Sequence, residues 1–258
     1  MKKVTTLAAC FAAAALTLAG CTKTDITPAG SVSETVSYNA SVPDLSKCKI
    51  RRIYQEHVWP GVLQTALFSY NKAGNPYSVI YANSGTAYPN HFFIYDNLNR
   101  LKEYRLLWSG YLHEHHFYRH NSQNQIIIDS FIRSDANGSY PYAAVSTIEY
   151  DAAGRVVKET IVNIKNGESP LQPTRRPTYT YDNRGNLGVL GWKSSSYDYK
   201  INPLRQSPVF QFILRNYSMN NAAVQSRYNS LGLPLSMNPS NDLFFNGIVT
   251  PKVIYDCQ

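Results

Sequence analysis

The chain has 258 residues, 43% of them hydrophobic and 13% aromatic, with a formal net charge of +8. The basic excess is spread thinly with no Lys/Arg block, so it favours acidic polymers or anionic surfaces only in general terms and serves mainly solubility. Nucleophile motifs of the Gly-x-Ser-x-Gly kind and phosphate-binding glycine loops are absent from the sequence.

The chain opens Met1-Lys2-Lys3, runs apolar from Val4 to Leu18, and closes this stretch with Leu18-Ala19-Gly20-Cys21. A basic start, a short apolar run and small residues before a cut describe a secretory signal over 1–20. A membrane-spanning helix would need about 20 apolar residues. The last four residues resemble the lipobox of bacterial lipoproteins. That resemblance implies that Cys21 is diacylated and becomes the new N-terminus, anchoring the protein to a membrane through lipid. Thr22 follows instead of the Asp associated in that family with inner-membrane retention, which leans toward an outer membrane. Export makes nucleic acid an improbable partner. Loss of Lys2 and Lys3 with the signal lowers the formal charge from +8 to +6.

Residues 21–44 are rich in Ser, Thr, Pro, Ala and Asn and read as a flexible tether. Cys10 leaves with the signal and Cys21 takes lipid, leaving Cys48 and Cys257 at opposite ends of the remaining domain, 45–258. In an oxidising compartment such a pair is expected to form a disulfide; the alternative is two separate buried thiols.

A repeat then runs along the domain. Its clearest copy is Tyr150-Asp151-Ala152-Ala153-Gly154-Arg155, and others begin at Tyr95 and Tyr181. Weaker copies begin at Tyr70 and Tyr228, a degenerate one at His120, and Tyr255-Asp256 opens another at the chain end. First positions lie 25, 25, 30, 31, 47 and 27 residues apart. Asp or Asn after the aromatic can bond backbone N–H groups ahead. Gly or Asn three residues later tolerates positive φ, as a type I turn with a following bulge requires. Strand formers flank each turn, so every unit is a β-hairpin and the hairpins join into an antiparallel meander. Seven units imply on the order of 13–14 strands, enough to curl or close, so an all-β, strongly curved sheet or open barrel is predicted.

These residues resemble the YD repeat of the Rhs/YD-repeat family, with Tyr150 to Arg155 matching its pattern fully and the Tyr95 and Tyr181 copies in part. Large members wind such repeats into a shell around a C-terminal toxin. This chain has too few repeats to enclose a cargo, no sequence after the last repeat to serve as a toxin, and the lipid-accepting Cys21 instead. It is more similar to small bacterial lipoproteins with a few divergent repeats.

Two stretches invite closer reading. In His113-Glu114-His115-His116-Phe117-Tyr118-Arg119-His120, strand alternation puts Glu114, His116, Tyr118 and His120 on one face. Glu114, His116 and His120 could offer mixed ligands to a metal, but the spacing fits no established signature, and no metal or other cofactor is assigned. The insertion at 197–227 holds Ser207-Pro208, suited to an N-cap and first helical turn, then Val209, Phe210, Phe212, Ile213 and Tyr217 on one helical face. A short helix covering one face or end of the sheet is expected; the alternative is a strand over Val209 to Leu214 in a long loop.

Asp96, Asp151 and Asp182 belong to the turns, which leaves Glu103, Glu114, Glu149, Glu159 and Glu168 without contexts that raise a pKa. No catalytic residue is assigned. Trp59, Trp108 and Trp192 lie in or near hairpins and could form a glycan-binding face, with cross-strand packing as the plainer role. The sequence thus points to a non-enzymatic envelope lipoprotein that binds or scaffolds a protein or polysaccharide. The alternative is a cell-envelope glycoside hydrolase working through a carboxylate pair.

Overall fold

The computed structural model describes residues 45–55, 65–82, 88–108, 111–134, 142–164, 175–188, 197–222, 227–237 and 251–257. Nine strands follow one another along the chain: β1 (Cys48–Tyr54), β2 (Thr65–Tyr70), β3 (Pro76–Ala82), β4 (Asn90–Tyr95), β5 (Leu101–Trp108), β6 (Tyr111–His120), β7 (Ile126–Arg133), β8 (Tyr142–Tyr150) and β9 (Val156–Ile164). Then come β10 (Thr180–Tyr181), β11 (Leu187–Gly188), β12 (Tyr197–Ile201), a helix α1 (Pro208–Leu214), β13 (Asn220–Ala222) and β14 (Lys252–Cys257).

Ten of these strands form one antiparallel sheet in the order β14-β1-β2-β3-β4-β5-β6-β7-β8-β9. The expectation of a single continuous meander needs one correction. β10–β11 and β12–β13 pair separately, and β14 returns to lie beside β1. Cys48 and Cys257 face each other in the β1–β14 ladder and are joined by a disulfide. The sheet stays open, and irregular backbone covers both its edges. Residues 175–179 bond along β9, with Pro177 among them. Residues 235–237 bond along β14 through Val253 N–H to Leu235 O and Met237 N–H to Pro251 O. Such coverage blunts the tendency of bare edges to recruit other chains.

The repeat is visible as geometry. At Asn71, Asp96, Asn121, Asp151, Asp182 and Asn229 one side-chain oxygen accepts from the N–H groups two and four residues ahead. Three residues after each, the backbone turns left-handed at Gly74, Asn99, Asn124, Gly154, Gly185 and Gly232. The ladder slips by one at Tyr70, Tyr95, His120 and Tyr150, the bulge that such a turn carries.

The tyrosine that opens most units has its own task, which sequence reasoning did not find; Tyr228 alone of these tyrosines donates to a carboxylate, that of Asp198. Between units the backbone ladder stops short: β1–β2 at Arg52, β3–β4 at Ser78, β7–β8 at Ile128. Two residues before each of those, a carbonyl accepts from a tyrosine hydroxyl of the next unit. Tyr70 donates to Ile50 O, Tyr95 to Pro76 O, Tyr150 to Ile126 O and Tyr181 to Val156 O, at 2.6–3.0 Å. Tyr255 donates likewise to Pro234 O, and Tyr197, inside the insertion, to Leu187 O. The phenol continues the ladder where the strands splay, bridging adjacent units.

The inner face of the curved sheet carries the core. Ile53, Ala66, Phe68, Val79, Tyr81, Phe93, Tyr104 and Leu106 project to it and are buried. Helix α1 sits there, as expected from Ser207-Pro208: the Ser207 hydroxyl accepts from Val209 N–H, and Pro208 opens the helix. Phe210 packs edge-on against Phe68 and Phe93, and Phe212 against Tyr118. Filling the curve with two buried phenylalanines contributes about 2–3 kcal/mol for each ring.

Candidate functional site

From β6 onward the inner face changes character. Period-two alternation and register place Glu114, His116 and Tyr118 of β6, Asp129 and Phe131 of β7, Ser146 of β8, and Glu159 and Ile161 of β9 on the same face as the core. Tyr104 faces His116, His116 faces Phe131, and Tyr118 faces Asp129 across the ladders. Charged side chains at positions that point inward need partners, and they find one another. Together with Arg215 and Ile213 from the end of α1 they line a cleft of about 240 Å³.

The charges form a chain of contacts. Arg133 meets Glu114 at 2.5 Å. The Glu114 carboxylate lies 3.5 Å from His116 Nε2, and His116 Nδ1 donates to Asp129 at 2.9 Å. Asp129 lies 3.9 Å from Arg215, whose Nε donates to Glu159 Oε1 at 2.7 Å. The Tyr179 hydroxyl donates to that same oxygen at 2.7 Å. Arg215 reaches this position because it caps α1 in a left-handed conformation, φ 51°.

The pKa shifts follow from this pairing. Burial works to lower the His116 pKa, but the hydrogen bonds and charges of Asp129 and Glu114 outweigh it and hold it at about 9. Burial works to raise the Glu114 pKa, but His116 and Arg133 bring it below the usual carboxylate range. For Arg215, burial is outweighed by Glu159 and Asp129, which fix the guanidinium in its charged form. Tyr118 and Tyr104 are driven far up by burial and then by neighbouring carboxylates, and stay neutral.

Both ring nitrogens of His116 are directed at carboxylates, Nδ1 at Asp129 and Nε2 at Glu114. His120 is displaced by the bulge at the end of β6 and does not join Glu114 and His116 in the cleft. Among the described residues no group of three or more His, Cys, Asp or Glu is arranged to hold a metal ion. His115 points the other way. On the outer face it meets Glu103 at 2.9 Å beside Arg105, with the Phe117 ring tilted against its own.

Of the three tryptophans, Trp108 ends β5. It is paired across the hairpin with the exposed Tyr111, its ring edge-on to His113 at 5.2 Å. The pair lies beyond Leu106 and Glu114 on the same two strands, past a shift in the ladder between Leu106 and Leu107. Tyr142 stands against Phe131 and donates to Asn163. Trp59, Trp192 and Cys21, the residue expected to accept lipid, lie outside the described residues, as do residues 1–44, read from the sequence as signal and tether.

Sequence reasoning singled out Glu114 and His116, named Glu159 only as an acid without a telling context, and missed Asp129 and Arg215. The signal available was an acid inside each of two otherwise strand-forming runs, Ile126–Arg133 and Val156–Ile164, at positions in phase with the buried face. Arg215 gave no such signal, because it arrives from outside the sheet. No protein-family model matches the chain, and no curated protein matches it.

Chemically the arrangement is a fixed lattice of alternating donors and acceptors, flanked by aromatic rings and open on one side. Each acid in it is already neutralised by a cation. Beside them the cleft leaves a space that a hydroxyl-bearing ligand could enter.

Proposed function

We propose that the protein is a non-enzymatic, lipid-anchored component of a bacterial cell envelope, built from YD-like repeats, that binds or scaffolds a polysaccharide or protein partner. The observation that carries this reading is the self-neutralised charge chain from Arg133 to Tyr179 in a cleft walled by Tyr104, Tyr118 and Phe131, on the strand pair that ends in the exposed Trp108 and Tyr111. Hydroxyls both donate and accept, so a sugar can satisfy such a surface in either sense, while its C–H faces pack on aromatic rings. The Leu18-Ala19-Gly20-Cys21 sequence supports the anchor, and a disulfide between Cys48 and Cys257 suits an oxidising compartment.

The test is a glycan-array screen of the full chain carrying Cys21→Ser, beside variants with Trp108→Ala plus Tyr111→Ala and with Glu114→Gln. Binding that both variants lose supports a carbohydrate-binding cleft. Absence of binding to any glycan turns the search to envelope proteins. A second reading, glycoside hydrolysis, draws on one feature: Glu114, Asp129 and Glu159 line the same cleft. Release of reducing ends from any arrayed glycan, abolished by Glu159→Gln, would overturn the non-enzymatic reading.

A further inference from the structure

Within the ten-stranded sheet the run of tyrosine bridges has one gap. Between β5 and β6 the ladder stops at Glu103, two residues past Leu101, in the same relation as Arg52 to Ile50, Ser78 to Pro76 and Ile128 to Ile126. The next unit should send a tyrosine hydroxyl to the Leu101 carbonyl. The residue in that place is His120, whose side chain is shorter than a phenol and makes no hydrogen bond among the described residues. At this point the surface opens into a cavity of about 350 Å³. Leu101 and His120 line it together with Ile126, Tyr150, Val209 and Phe212. Its apolar walls are those of the inter-unit cleft and helix α1, and its polar end is the one that a tyrosine hydroxyl occupies in the neighbouring units.

We propose that this cavity is a binding site for a phenol: an aryl ring seated between Ile126, Val209 and Phe212, its hydroxyl donating to Leu101 O beside His120. The occupant is defined by the repeat itself. Four flanking inter-unit clefts are closed by a phenol supplied in cis, from Tyr70, Tyr95, Tyr150 and Tyr181. The fifth has the same backbone and lacks the ring. A hole whose lining persists when one side chain is missing accepts the missing group as a free ligand, as apolar cavities of engineered proteins accept small aromatics.

The experiment is calorimetric titration of the full chain carrying Cys21→Ser with p-cresol, toluene and N-acetyl-tyrosinamide. Saturable binding of p-cresol at least tenfold tighter than toluene is expected, because only the phenol can donate to Leu101 O. His120→Tyr supplies the ring in cis; it should weaken p-cresol binding at least tenfold and raise Tm by about 2–4 °C. His120→Ala keeps the cavity and should keep the binding. N-acetyl-tyrosinamide binding alongside p-cresol would identify the natural occupant as a tyrosine of a partner chain; p-cresol binding alone would identify it as a free phenol. Equal affinity for toluene, no binding of p-cresol, or unchanged binding in His120→Tyr would each overturn the proposal.

Discussion

His116 makes stability depend on pH in a direction opposite to ordinary acid denaturation. Its imidazole is held between Asp129 and Glu114 and has a pKa of about 9 in the folded chain, against about 6.5 for an unperturbed histidine. Between those two values the folded state keeps a proton that the unfolded state has released, so stability falls as pH rises. The contribution is fully present below pH 6.5 and is lost on passing pH 9. A gap of about 2.5 pH units at 1.36 kcal/mol each amounts to about 3 kcal/mol. Urea unfolding followed by tyrosine fluorescence at pH 6.5, 7.5, 8.5 and 9.5 should show the wild-type chain losing stability across the series. His116→Gln keeps a donor toward Asp129 but carries no titrating proton, and its stability should be flat over the same range. A wild-type chain equally stable at pH 6.5 and 9.5, or a His116→Gln variant with the wild-type slope, would refute the assignment of a charged His116.

His91 supplies the opposing limb. It is fully buried against the Tyr104 hydroxyl, and burial brings its pKa down to about 3, so its contribution is present above pH 6.5 and lost as the solution is acidified toward that value. Denaturation at pH 6.5, 5.5 and 5.0 should show a loss of about 1.4 kcal/mol for each pH unit, absent in His91→Gln. Tyr150→Phe removes the bond to Ile126 O and should cost about 1 kcal/mol, read as a Tm lower by about 2–4 °C. Gly154 turns at φ 75° with open space around it, so Gly154→Ala should cost about 1 kcal/mol through backbone conformation alone. Reduction of the Cys48–Cys257 bond, which closes a separation of 209 residues, should lower stability by up to about 5 kcal/mol on the chain-entropy account, measured by denaturation with and without reductant.

Local chemistry made much of this fold legible in the sequence. The Asp or Asn of each turn and the Gly or Asn three residues on need no distant partner, so all six turns could be read in order. Ser207-Pro208 announced α1 for the same reason. Long-range placement was not legible. Nothing near Lys252 states that β14 will lie beside β1, and the short pairs β10–β11 and β12–β13 leave the main sheet although the β10–β11 turn at Asp182 matches the others. Tyr197-Asp198 escaped notice because strand continues where a turn would be expected, yet its hydroxyl bonds Leu187 O as the repeat requires. In the cleft, Glu114 and His116 could be put on one face by counting, while Arg215 reaches Glu159 across 56 residues of sequence. Its pairing depends on where the helix lands.

The return of β14 to β1 has a consequence for the order in which the domain can be completed. During synthesis β1 emerges first and β14 last, so one side of β1 has no partner until the whole chain has appeared. Strands from β2 to β9 can each dock on the one before, but β1 waits with unpaired backbone groups on one side. Closure of such a long loop is the slow step that high contact order imposes. A chain that stops short of Lys252 would fold most of its hairpins and still present a bare sheet margin to its neighbours, with Cys48 left a free thiol there. Premature termination should therefore yield oligomers crosslinked through Cys48 rather than a soluble, slightly smaller domain.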